Sequence, residues 1–336
     1  MRVKSRIGVM VATAAAVCLV SDMATAQTDA SLERLERAIE RGATVAGGLV
    51  GATAIHLESG RTVSVNGDEA FPMASTYKVP IAIELLTRAD AGTLSLDEML
   101  DVMAADLHPG SGTLSPLLAQ PGVSLSVRNL MELMLRISDN SATDMLLARA
   151  GGSEAVTGRM RMLGIDGIRV DRPTAVLIAD RYGATLPDPE LWTLDVFDEA
   201  FSARSEDERA ASAIEFDLDP RDTATPNAFA ELLARLYRGE LVSEDSTALL
   251  LDIMERCLTG ENRLKGLLPE GTVVAHKTGS LAGTANDVGI LTLPDSAGHV
   301  AIAVLMKSSD RLGADRARAI AEIARVVYDY FLFALN

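Results

Sequence analysis

The sequence predicts an α/β fold: an antiparallel sheet flanked by helices, joined to a second lobe that is all helix. Three observations predict it. Period-two hydrophobic runs occur only near the two ends of the chain, the long middle is helical in pattern throughout, and an amphipathic or apolar helix at each end can cover a sheet. An α/β lobe is therefore expected over about 27–70 and 264–336, and a helical lobe over about 71–263 with an insertion at about 179–217. A cleft between two such lobes is the natural place for reactive groups.

The chain opens with Arg2, Lys4 and Arg6, an apolar stretch from about Ile7 to Val20, and Ala24-Thr25-Ala26 before Gln27. This pattern is a secretory signal peptide cut after Ala26, too short to span a bilayer, and it implies a periplasmic or secreted mature protein. Leu32, Leu35 and Ile39 then recur at helical spacing. Leu49–Leu57 and Arg61–Val65 read as a hairpin about Ser59-Gly60. From Ser75 to about Arg88, the residues Val79, Ile81, Ile83, Leu85 and Leu86 make a helix apolar on nearly every side, which is the mark of burial. Residues 96–150 alternate helical runs with turns at Pro109-Gly110-Ser111-Gly112 and Pro121-Gly122. Ala228–Tyr237 and Thr247–Cys257 read as helices, and Gly271–His276, Val288–Leu293 and Val300–Met306 as strands. Ala314–Leu332 closes the chain as a long helix.

Composition narrows the partners. The chain has 31 Lys+Arg against 47 Asp+Glu, a formal net charge of −16, and without residues 1–26 the balance is 28 against 46, near −18. So acidic a protein is a poor match for nucleic acid or anionic membrane. Cys257 is the only cysteine left after cleavage, so no internal disulfide can form. No metal-ligating cluster and no nucleotide-binding glycine loop appears. The expectation is a monomer without a cofactor, not stably inserted in a membrane, acting on a small molecule.

The chemistry begins in Phe71-Pro72-Met73-Ala74-Ser75-Thr76-Tyr77-Lys78-Val79-Pro80. Ser75 and Lys78 lie one helical turn apart and share a face. A serine hydroxyl needs a base to become a nucleophile, and a lysine can be that base where burial or a neighbouring cation depresses its pKa. Ser-x-x-Lys alone is a weak pattern, but Ser138-Asp139-Asn140 and Lys277-Thr278-Gly279 follow it. Gly279 allows close backbone approach, while Thr278 and Ser280 can bind a carboxylate beside the charge of Lys277.

These three motifs in this order are those of class A β-lactamases and penicillin-binding proteins. Phe71-Pro72-Met73, Gly151-Gly152, Asp219–Pro226 and Gly283-Thr284-Ala285-Asn286-Asp287 agree with them. The chain resembles a class A β-lactamase over most of its mature length. The resemblance implies the β-lactamase fold and a β-lactam or D-alanyl-D-alanine-like substrate. It also implies a proton relay through Ser138 to the leaving nitrogen, an amide contact from Asn140, and an oxyanion hole made by the N–H groups of Ser75 and Ser280.

One segment departs from the family. Where class A enzymes carry Arg-x-Glu-x-x-Leu-Asn, whose glutamate activates the deacylating water, this chain reads Arg172-Pro173-Thr174-Ala175-Val176-Leu177-Ile178. Threonine is no useful base near neutral pH, and isoleucine cannot hold a water. Arg172 and Asp222 match the pair that closes the family's loop, but an insertion of roughly 35 residues separates them, as long functional loops do. It carries Trp192, Phe197 and Phe201 as packing anchors, and Glu206, Asp207, Glu208, Glu215 and Asp217 on a helix. Glu208, or else Glu215, is expected to replace the missing base. The arginine that often assists the substrate carboxylate is absent from His299-Val300-Ala301, which leaves Arg311 as a stand-in. Three functions fit the motifs: a β-lactamase, a D-alanyl-D-alanine peptidase or related esterase or amidase, and a penicillin-binding protein that acylates without turnover.

Overall fold

The computed structural model describes residues 30–333, so the expected signal peptide lies outside the described residues. Helix α1 (30–43) leads into strands β1 (Leu49–His56) and β2 (Thr62–Val65). The chain then crosses to the helices α2 (Lys78–Asp90), α3 (Val127–Arg136), α4 (Asn140–Arg149) and α5 (Gly152–Met162). The segment between Arg172 and Asp222, which holds the insertion, forms α6 (Thr174–Tyr182), α7 (Leu194–Ser202) and α8 (Glu206–Leu218). Helices α9 (Pro226–Tyr237) and α10 (Glu244–Glu255) precede strands β3 (Val274–Leu281), β4 (Thr284–Thr292) and β5 (His299–Lys307), and α11 (Gly313–Phe333) ends the fold. Among the described residues no helix is long and apolar enough to cross a membrane.

The five strands form one antiparallel sheet in the order β2-β1-β5-β4-β3. Alternation along β5 shows why it is held on both faces. Val300, Ile302, Val304 and Met306 join α1 and α11 in one core, while Ala301, Ala303 and Leu305 join the core that runs through α2, α3, α4 and α9. Burying a single Leu or Ile side chain on either face contributes about 2 kcal/mol. Edge strand β3 is left free on one side, and that side meets the turn that carries Ser75.

One expected boundary moved, for a local reason. Ser75 was expected on the helix that contains Lys78, but it stands on a single 3-10 turn, Ala74–Tyr77, and the α-helix proper begins at Lys78. Pro80 has no N–H to return to Thr76 and is tolerated only in a first turn. In addition, Ala74 is held left-handed, at φ 47°. At the second motif α4 begins at Asn140 itself, because Asp139 caps it by accepting from the Ala142 N–H at 3.0 Å. The other Asp139 oxygen accepts from the N–H groups of Thr113 and Leu114, at 2.6 and 2.9 Å, which fixes the neighbouring loop against the motif.

The insertion makes a roof with a small core of its own. Ala175, Trp192 and Phe197 are buried together with Phe201 at their edge, and the His108 ring packs against Trp192 and Phe197. At its base Arg172 Nε donates to Asp222 Oδ2 at 2.5 Å, and its guanidinium also reaches Asp180 and Asp219, at 2.7 and 3.1 Å.

Candidate active site

Lys78 is fully buried, and its Nζ donates to the Ser138 carbonyl at 2.8 Å, to Ser138 Oγ at 3.1 Å and to Asn140 Oδ1 at 3.1 Å. Ser138 can offer both of its oxygens because its backbone is left-handed, at φ 61°, a conformation that costs a non-glycine residue of order 1 kcal/mol. Burial holds the Lys78 ammonium well below the usual lysine range, and the nearby charge of Lys277 lowers it further. This is what a lysine requires to act as a base toward Ser75, one turn earlier. Lys277 is buried too, donates to the Thr278 carbonyl at 2.9 Å, and is brought by burial to about 8.

Ser75, Asn140 and Ser280 line one cleft of about 340 Å³, together with Tyr77, Pro109, Gly110 and Ser111. The turn at Pro109–Ser111 is on its wall. Gly279 has a different reason from the one expected. A Cβ there would stand 2.6 Å from the Met73 carbonyl and 3.1 Å from the Ser75 N–H, so the glycine admits the nucleophile's own turn against β3. That contact is bolted by Asn286, whose side-chain amide donates to the carbonyls of Pro72 and Met73, at 2.8 and 3.0 Å.

Sequence reasoning missed Arg263. Its Nη2 donates to Ser280 Oγ at 2.6 Å, and its Nη1 to the Gly279 and Asn286 carbonyls at 2.9 and 2.8 Å. Arg311, the expected stand-in, is exposed and pairs with Asp310 instead. Arg263 lies in coil between α10 and β3, where no periodicity marks it. A buried trio also went unseen behind β3. His276 Nδ1 lies 2.9 Å from Asp287 Oδ1, while its Nε2 meets no conventional partner and interacts with the Cys257 thiol. Burial opposes the His276 charge, but Asp287 and Cys257 raise it to about 9; burial pushes the thiol up, but His276 and Lys277 outweigh it and bring it to about 7. Cys257 reaches Thr259 Oγ1 at 3.3 Å, and Thr259 bonds Thr278 Oγ1 at 2.6 Å, so the trio is wired to the third motif.

Comparison with known proteins decides the lineage. A family model described as the β-lactamase enzyme family matches residues 34–331. The chain belongs to the β-lactamase enzyme family. It is 28% identical to β-lactamase VEB-1 of Pseudomonas aeruginosa over 315 residues, 91% of this chain and 93% of that one. It is 30% identical to the extended-spectrum β-lactamase PER-1 of the same organism, over 81% of this chain and 79% of that one. Among solved structures, the TLA-1 extended-spectrum β-lactamase superposes with a TM-score of 0.73 at 30% identity, covering 90% of this chain and 99% of that one. A β-lactamase from Chitinophaga pinensis gives 0.72 at 30% identity, covering 90% and 100%. The protein is a serine hydrolase of the class A β-lactamase type, and its five-stranded antiparallel sheet with flanking helices is the expected fold.

Within this β-lactamase the expected base is a correction. Glu208 is exposed in the first turn of α8, where it completes a capping box with Ser205 and pairs with Arg204 at 3.6 Å. The Ser205 N–H and hydroxyl hold its carboxyl below the usual glutamate range, and it does not line the cleft. A first-turn glutamate is drawn to its own helix terminus, which is why spacing alone misplaced it. Glu215 is no better placed, facing a separate groove with Arg204 and Arg221. At the position of the family's glutamate, the Thr174 hydroxyl is hydrogen-bonded to Tyr77 Oη on the floor of the cleft. Asp144 behind it caps α6, accepting from the Thr174 and Ala175 N–H groups at 2.6 and 3.0 Å. Burial, and then the Asp144 charge, push the Tyr77 phenol well above its usual range, so it stays protonated. Among the residues lining the cleft there is no carboxylate.

Proposed function

We propose that this extracytoplasmic β-lactamase opens β-lactam rings through an acyl-enzyme on Ser75, and that release of the acyl group limits its turnover. The observation that carries the reading is a serine one turn before a buried, pKa-depressed lysine that bonds the second motif, with Ser75, Asn140 and Ser280 lining one cleft that no carboxylate lines. In the first half-reaction neutral Lys78 takes the Ser75 proton as Oγ attacks the lactam carbonyl. The N–H groups of Ser75 and Ser280 receive the oxyanion, each contributing about 3 kcal/mol at the transition state. The proton passes through Ser138 to the departing nitrogen, completing ring opening. Asn140 meets the side-chain amide, while Thr278, Ser280, Arg263 and Lys277 take the ring carboxylate.

In the second half-reaction water attacks the ester, and Lys78 is the remaining group able to accept its proton. A base already bonded to three acceptors serves water less well than a free carboxylate would. Residues 27–336 mixed with a chromogenic cephalosporin should therefore release a burst close to one equivalent, then a slower steady phase, while mass spectrometry shows the adduct accumulating. Ser75→Ala should give neither burst nor adduct. Linear turnover from the first seconds with no adduct would remove the rate-limiting step from this account. The missing carboxylate also favours a second reading, a penicillin-binding protein that acylates and holds, and a burst with no steady phase would select it.

The pH dependence of the burst has a definite shape. Lys78 must be neutral, so acylation rises with pH as its depressed ammonium loses a proton. Lys277 must be charged to hold the ring carboxylate, so acylation falls again above about 8. Stopped-flow acylation rates between pH 5 and 10 should trace a bell, and a rate still climbing at pH 10 would exclude Lys277 as a charged partner.

A further inference from the structure

The mouth of the cleft carries a cation that the reaction above does not use. Arg181, on the last turn of α6, is 7% exposed and lines the cleft with Ser75, Asn140 and Ser280. Its Nη2 donates to the Ala282 carbonyl at 3.0 Å, while its Nε is buried without any partner. Of the neighbouring arginines, Arg172, Arg204 and Arg209 also keep a buried donor without a partner, but Arg172 and Arg204 each form an ion pair with a carboxylate, as Arg221 does, and Arg209 donates to the Phe201 carbonyl at 2.6 Å. Arg181 makes no such pair among the described residues. Asp217 shares a neighbouring groove with it and acts on its charge without a direct ion pair; Ser308 Oγ holds one oxygen of that carboxylate at 2.9 Å, and the other is buried without a partner. A buried guanidinium with an unfilled donor is costly unless something anionic completes it.

Its position says what that would be. Ala282 is two residues beyond Ser280, at most ~7 Å along the chain from the N–H expected to hold the lactam carbonyl. Between them the wall is apolar, formed by Leu177, Ile178, Phe201 and Leu281. The ring carboxylate is assigned to Lys277 and Arg263, the latter bonded to Ser280, so Arg181 is a second cation of the site, separate from that pair, inside a chain of net charge −16.

We propose that Arg181 is a specificity residue that selects β-lactams whose acyl side chain bears a carboxylate, so that the preferred substrate is a dianion with an apolar or aromatic centre. This rests on acylation at Ser75 but not on the rate of deacylation. The aromatic body of the side chain packs on Phe201 and Leu177, and its carboxylate meets the Arg181 guanidinium where it lines the cleft, as a charge-assisted hydrogen bond. No bond is made or broken at this end; the effect is on binding before and during acylation.

Carbenicillin and benzylpenicillin supply the test, since they differ by one carboxylate on the side chain. The acylation rate constant, read from the growth of the covalent adduct, should favour carbenicillin in the native protein. Arg181→Gln keeps the hydrogen-bonding reach to Ala282 and should lower the carbenicillin-to-benzylpenicillin ratio roughly tenfold or more. Asp217→Asn removes the competing carboxylate and should raise the same ratio. A ratio that neither substitution moves, in proteins that still acylate with benzylpenicillin, would overturn the assignment. Failure of the native protein to acylate with either penicillin would instead sink the Ser75 reading, and this one with it.

Discussion

Lys78→Met should slow acylation of Ser75 by about 10²- to 10⁴-fold, the contribution of a positioned general base. The substitution preserves length and apolar stem while deleting the group that takes the proton. Among the described residues the other candidates are otherwise engaged: the Thr174 hydroxyl is tied to Tyr77, the Tyr77 phenol is held protonated, Glu208 is out on its own helix, and Lys277 donates to the Thr278 carbonyl. The Ser138 carbonyl and Asn140 Oδ1 lose a donor, so a stability loss of about 1–3 kcal/mol accompanies the change, and a melting curve must establish that the variant is folded. In a folded variant, an adduct that still forms within tenfold of the native rate would show that another group activates Ser75. Its acid limb should also vanish, because the group that titrates there has gone.

Asp222→Ala should cost about 3 kcal/mol and lower the melting temperature by of order 5–10 °C. Asp222 is 1% exposed and accepts three hydrogen bonds, from Arg172 Nε and from the N–H groups of Arg172 and Asp171. Removing it strands a buried guanidinium, although Asp180 and Asp219 remain within 2.7 and 3.1 Å, which keeps the loss at the lower end of the range for a broken buried pair. The Asp222 carbonyl also accepts from the Met73 N–H at 2.9 Å, so the same residue joins the base of the roof to the strand before Ser75. Limited proteolysis between residues 183 and 205 should therefore speed up together with the fall in melting temperature. Asp222→Asn, which keeps an acceptor for the two backbone N–H groups, should lose less. A melting temperature within about 2 °C of native for Asp222→Ala would mean that the two remaining carboxylates suffice.

The three motifs were readable because each is short and its chemistry demands particular residue types: a hydroxyl and an amine one turn apart, a cap that starts a helix, a glycine where two backbones touch. The alternation of β5 and the all-round hydrophobicity of α2 were equally plain, since burial on two faces leaves few alternatives at each position. Trp192 and Phe197 announced a small core of their own in the same way. Glu208 was misread because nothing in a helical pattern distinguishes a carboxylate aimed at a cleft from one that satisfies its own helix terminus.

What the sequence determined by itself was the nucleophile, its lysine, the lineage and the absence of the loop glutamate, all of them matters of which residue stands at which local spacing. The tertiary structure alone decided that Arg263 reaches Ser280, that Cys257, His276 and Asp287 meet behind β3, and that Arg181 turns into the cleft with a donor to spare. Those contacts join positions 11 to 101 apart in the chain, the Arg181–Ala282 hydrogen bond being the longest. Hydrogen bonding and charge act over a few ångströms of space, and only the packing of sheet, helices and roof sets which distant residues come that close.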